Sequence, residues 1–187
     1  SQMLESGAFD LEASQTLSGE AVNLNPDKIY LFGHSHGALS GAIALGVDPR
    51  IKGAVISGGG GVIVNTILLR KDPFDVSQLL RLLLGIDEKY LDRFHPMLTV
   101  VQMLVDATDP INYAPYWLNP LEGGTPKHIF ITEGTADHAT PGVATDAMAA
   151  AAGVPLISPI AKGVAAHALQ GLEPMEMELK GNIKGMT

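Results

Sequence analysis

The chain has 187 residues, 46% of them hydrophobic and 17% charged, and a formal net charge of −8. That is enough apolar material for one packed domain and excludes a disordered segment. The acidic balance, with Arg81 and Lys127 standing as isolated cations, excludes nucleic-acid binding; the absence of cysteine excludes disulfides, zinc–thiolate sites and a cysteine nucleophile. No apolar run reaches the ~18 residues of a transmembrane segment.

Residues 1–25 are polar with scattered apolar positions. Residues 28–32 (KIYLF) form a short apolar run ending at Gly33, the pattern of a buried parallel strand. Residues 38–45 are rich in Ala, Gly and Leu and predict a buried helix stopped by Asp48-Pro49. Residues 51–56 predict a second strand, ending in Ser57 and four glycines. Residues 62–120 change character. Leucines crowd 79–84, and Leu98, Val101, Leu104 and Val105 recur at helical spacing before Asp109-Pro110, so this segment reads as an all-helical insertion. A strand pattern returns at 128–131 and breaks at Gly134-Thr135-Ala136-Asp137. Residues 142–152 predict an alanine-rich helix stopped by Gly153, residues 154–160 a further strand, and residues 175–179 a last one. Strand–helix alternation with solidly apolar strands implies an α/β fold with a parallel sheet.

The pentapeptide Gly33-His34-Ser35-His36-Gly37 lies between the first strand and its helix. A Gly-x-Ser-x-Gly turn in that context lifts a serine hydroxyl above the sheet edge. The reading takes both glycines as space for neighbouring strand and helix, and Ala38 and Gly41 as a small face for close helix approach. It makes Ser35 the nucleophile and the backbone amide of His36 an oxyanion donor, helped by the helix N-terminus. His34 and His36 flank the serine too closely to be its base and are read as packing or pocket-lining residues.

A serine nucleophile needs a base, and the base an orienting carboxylate. Asp137 follows a later strand and a glycine turn, with Thr140-Pro141 opening the next helix. It is the candidate acid, against the plainer role of a helix-capping aspartate. Glu133 is weaker, being within the strand end. For the base, His167 follows a strand-like run 30 residues after Asp137, but residues 165–169 read equally as a short helix carrying an ordinary histidine. If residues 175–179 are the last strand, the base lies beyond Thr187. His95, His128 and His138 are read as structural.

The elbow together with Gly134-Thr135-Ala136-Asp137-His138-Ala139-Thr140-Pro141 resembles the α/β-hydrolase superfamily, with its bacterial lipase and esterase members the nearest likeness, over about residues 26–160. The resemblance implies ester hydrolysis through an acyl-enzyme, with Ser35 as nucleophile, Asp137 as acid and His167 in the position of the histidine loop. It implies no cofactor and no metal, and a small-molecule ester as substrate. It divides the chain into hydrolase core (1–61), a helical lid or cap (62–120) and C-terminal core with the acid loop (121–187). The lid position implies hydrophobic esters, the insertion forming a small core with one edge toward the pocket. An extracytoplasmic bacterial location follows from the likeness alone; no targeting segment supports it.

One departure matters. The family places several strands before the elbow, whereas about 27 residues precede the elbow strand here, read as one helix. The reading therefore expects the N-terminal half of the sheet to come from a second chain or a missing segment, since a half sheet would expose edges and apolar faces. A serine peptidase or acyltransferase on the same fold is a close alternative, and a non-catalytic binding or assembly domain the alternative of another class. The glycine run at 58–61 lacks the Lys and Ser/Thr of a phosphate loop and is read as keeping the strand end open beside the site.

Overall fold

The computed structural model describes residues 2–176. Its centre is an all-parallel, three-stranded sheet in the order β1 (Ile29–His34), β2 (Ile51–Ser57), β3 (His128–Thr132). Between them run α2 (His36–Val47), then α3 (Ile63–Leu69), α4 (Val76–Leu84), α5 (Pro96–Val105) and α6 (Pro115–Leu118), with α7 (Gly142–Ala152) and α8 (Ala165–Leu169) after β3. The architecture is α/β, as the apolar runs predict. The N-terminal segment contributes only a four-residue helix α1 (Gln2–Glu5), a 3-10 turn and an isolated bridge between Leu11 and Val22, rather than a full helix.

The parallel register places side chains in rows across the sheet. Leu31, Ala54 and Ile129 form one row, and Gly33, Ile56 and Ile131 the next, on the covered face. Against them pack Ala38, Ala42 and Leu45 of α2, Trp117 of α6, and Met148 and Ala152 of α7, forming one hydrophobic core. The Trp117 indole N–H donates to the Ala42 carbonyl at 3.0 Å, satisfying the only polar atom of that buried ring. Buried Lys127 donates from Nζ to the carbonyls of Asp48 and Ile51 at 2.7 and 3.0 Å, tying the start of β3 to the α2–β2 turn.

The opposite face is open. Phe32, Val55 and Phe130 share a row, and Phe32 is 73% exposed, with Tyr30 and Phe130 also exposed. Parallel sheets are normally covered on both faces, so this one presents a bare aromatic side and an outer edge along β1.

Residues 62–120 hold no strand. Leu79, Leu82, Leu83 and Leu84 of α4 are exposed, because the face of α4 that turns inward carries Ser77, Leu80 and Arg81, whereas Val64 of α3 and Leu98 of α5 are buried. The segment is anchored by fully buried Asp109, whose carboxylate accepts from the amides of Val62 (3.0 Å), Ile63 (2.7 Å) and Ile111 (3.0 Å) and from Gln102 Nε2 (2.7 Å). No helix among the described residues is long and apolar enough to cross a membrane.

The strand expected over residues 154–160 is reduced to a single bridge, Ile157 with Met175, parallel. Pro155 and Pro159 remove two donors from that stretch, which defeats a continuous ladder. The last expected strand starts at this same Met175; residues 177–179 lie outside the described residues.

Candidate active site

Ser35 sits between the last residue of β1 and the first of α2 with φ 52° and ψ −121°. A left-handed serine costs about 1–3 kcal/mol and persists only where its surroundings over-determine it. Here the Ser35 N–H donates to the Ser57 carbonyl at 2.9 Å, while its own carbonyl accepts from Ala38 and Leu39 and starts the helix. The strand therefore runs its pairing one residue past its end before the chain reverses. Ser35, His36 and Gly37 are all exposed. The first amides of a helix have no intrahelical acceptor, so the His36 N–H beside the Ser35 side chain is a free donor at the positive end of α2.

Gly33 is required by close approach. A Cβ there would stand 2.7 Å from the Gly37 carbonyl oxygen and 2.9 Å from the Ala38 Cα. Gly37 is different from the sequence reading: a Cβ there would meet nothing within 4 Å, so its role is not to relieve a clash. The glycine run also needs correction. Cβ atoms at Gly59, Gly60 and Gly61 would fall 2.9 Å from Ala38 Cβ, 2.6 Å from Ala144 Cβ and 3.0 Å from Ile111 Cβ respectively. These glycines let α2, α7 and the insertion close on the β2 turn rather than hold it open.

Gly58, in the left-handed region at φ 56°, is the exception. A Cβ on it would lie 3.7 Å from Asp137 Oδ2, 3.8 Å from His34 Cε1 and 3.9 Å from Thr140 Oγ1. The acid loop and the elbow strand thus converge over this one residue. Asp137 is half-buried, and its Oδ1 accepts from the amides of Ala139 and Thr140, each at 2.8 Å. It is not the cap of α7, whose N-cap is Pro141. Ser35 follows β1 and Asp137 lies in the loop after β3, two strands away in the sheet.

His167 is placed elsewhere. It lies in α8, 3% exposed, with no hydrogen-bond partner on either ring nitrogen. It lines a cavity against α7 and β3 to which neither Ser35 nor Asp137 contributes, so the structure joins it to neither. Glu133 is engaged by Lys162 at 2.6 Å, and burial pushes its carboxyl above the ordinary range while Lys162 pulls it down. His95 caps α5 by accepting from the Met97 amide, and the His138 carbonyl accepts from the amides of Lys71 and Asp72.

Sequence reasoning missed the pairing of His34 Nδ1 with Ser57 Oγ at 3.1 Å. The available signal was register: adjacent parallel strands ending in His34 and Ser57 bring these side chains to one face. Among the described residues no group of three or more His, Asp or Glu side chains is arranged to hold a metal. The chain matches no family model and no curated protein sequence.

Proposed function

We propose that the protein is a serine carboxylic-ester hydrolase of α/β-hydrolase type. The observation that carries the reading is the left-handed backbone of Ser35 at a strand-to-helix turn, with a half-buried carboxylate, Asp137, two strands away. The Ser35 Oγ attacks the ester carbonyl carbon, the carbonyl electron pair moves onto oxygen, and the His36 amide stabilises that oxyanion. A histidine between Asp137 and Ser35 takes the hydroxyl proton and returns it to the departing alkoxide. Water then attacks the acyl-enzyme by the same route and releases the acid.

With His167 held against α7, the reading takes its base from a second chain, which would also cover the open β1 edge. Residues 62–120 then act as the lid, and the exposed leucines of α4 favour hydrophobic esters.

The test is intact-mass spectrometry after treatment with a fluorophosphonate probe. An adduct on this chain that disappears in Ser35→Ala supports the reading. No adduct on folded protein overturns it. The bare row of Phe32 and Phe130 with the free edge of β1 favours one second reading, a non-catalytic assembly domain, which that outcome would leave in possession.

A further inference from the structure

The Asp137 carboxylate and the helical insertion are joined through one peptide plane. Asp137 Oδ1 accepts from the Ala139 amide at 2.8 Å. The other end of that peptide unit is the His138 carbonyl, since the C=O of one residue and the N–H of the next lie in one rigid plane and point opposite ways. The His138 carbonyl accepts from the amides of Lys71 at 2.8 Å and Asp72 at 3.2 Å. Both lone pairs of that oxygen are then engaged, and both donors come from the loop between α3 and α4.

The loop that supplies them is itself braced. Arg70 Nε donates to the Asp72 carbonyl at 2.7 Å, and the Arg70 guanidinium stands 5.5 Å from the centre of the Phe74 ring. The Lys71 ammonium pairs with one oxygen of Asp75. The other Asp75 oxygen accepts from Ser77 Oγ at 2.6 Å and from the Gln78 amide at 2.9 Å, capping α4. The two amides are therefore presented from a fixed turn and not from a loose strand of chain.

We propose that the Lys71 and Asp72 amides are positioning groups for the Asp137 carboxylate, acting through the His138–Ala139 peptide. Two bonds to the carbonyl stop the plane from rotating, which keeps the Ala139 N–H aimed at Asp137. They also polarise the peptide group and strengthen that N–H as a donor. If the α3–α4 loop leaves the acid loop, the carboxylate loses its alignment, so the place of the insertion and the place of the acid are set together. The catalytic meaning of this rests on the ester-hydrolase reading; the clamp itself does not.

Amide hydrogen exchange on the full chain tests it. Lys71→Pro deletes the shorter bond, and Arg70 before it is already extended at ψ 130°, as a residue preceding proline must be. Exchange at Ala139 and Thr140, the two amides bound to Asp137 Oδ1, is expected to quicken about five- to tenfold, the worth of one hydrogen bond, while β2 amides keep the parent's rates. Lys71→Ala gives up the pair with Asp75 but retains its N–H, and should match the parent at both positions. Arg70→Ala, which unbraces the loop, is the substitute if the proline variant does not fold, and should quicken the same two amides. Turnover of a p-nitrophenyl ester is the second readout: kcat should fall about tenfold or more in Lys71→Pro with KM unchanged, and stay at the parent's value in Lys71→Ala. Unchanged exchange at Ala139 and Thr140 in Lys71→Pro, the same quickening in Lys71→Ala, or an equal quickening throughout β2 overturns the proposal. Quickened exchange with unchanged kcat upholds the clamp and removes Asp137 from the mechanism, so the two failures are told apart.

Discussion

The Ser35 N–H donates to the Ser57 carbonyl at 2.9 Å, and this bond holds a serine whose backbone is left-handed. A main-chain bond survives any change of side chain at residue 35. Ser35→Gly is therefore expected to keep the turn and release its strain, raising stability by roughly 1 kcal/mol. Ser35→Ala keeps the Cβ and the strain and should leave stability nearly unchanged. Urea unfolding of the two variants distinguishes them; a destabilised glycine variant would mean the elbow is not strained.

On the proposed mechanism, Asp137→Asn tests orientation without dismantling the loop. The asparagine Oδ1 still accepts from the Ala139 and Thr140 amides, so folding is preserved. The negative charge that steadies an imidazolium is lost, and turnover of a p-nitrophenyl ester should fall about 10³–10⁴-fold. A loss under tenfold would remove Asp137 from the mechanism.

What the sequence made legible follows a physical division. The three strands and α2 and α7 are readable because each is an apolar run bounded by Gly, Pro or Asp, and the places of Ser35 and Asp137 after β1 and β3 are readable with them. Gly37 and Gly59–Gly61 were misread because a glycine's reason lies in what approaches it, which only the packed α2 and α7 define. Asp109 looked like a helix stop, yet it gathers donors from Val62, Ile63, Gln102 and Ile111, three of them in distant segments or the next turn. Residues 154–160 have strand composition, but composition does not register the missing donors of Pro155 and Pro159.

Gly60 gives a packing test. A methyl there would lie 2.6 Å from the Ala144 Cβ and 3.1 Å from the Ala144 carbonyl carbon. Backbone cannot yield as a flexible side chain does, so Gly60→Ala should cost about 1–3 kcal/mol or more. Gly37→Ala, with open space around it, should cost far less. Thermal or urea unfolding compares them, and equal losses would contradict the close approach of α7.

The anchor of the helical segment gives a second. Asp109→Ala leaves three half-buried amides without their acceptor at once, and a loss of about 2–4 kcal/mol is expected. Asp109→Asn keeps one acceptor oxygen and should retain part of that stability. Hydrogen exchange of the Val62, Ile63 and Ile111 amides reads the effect at its origin. Continued protection of those amides in Asp109→Ala would show that the carboxylate does not hold them.

Lys127 supplies the pH dependence. Burial pushes its ammonium below the ordinary lysine value, helped by Lys52 and opposed by Asp48. In the unfolded chain it titrates normally, so between the lowered folded pKa and about 10.5 the unfolded state binds more protons. Stability conferred by this residue must rise with pH across that window and be level below it. The neutral amine still carries two N–H donors for the Asp48 and Ile51 carbonyls, so deprotonation removes the desolvation penalty without breaking the contacts. Urea midpoints of the parent and of Lys127→Met, taken from about pH 7 to 10, isolate the effect because other titrating groups are common to both. The parent should gain on the variant as pH rises; a constant difference would mean that Lys127 stays charged at its ordinary pKa in the fold.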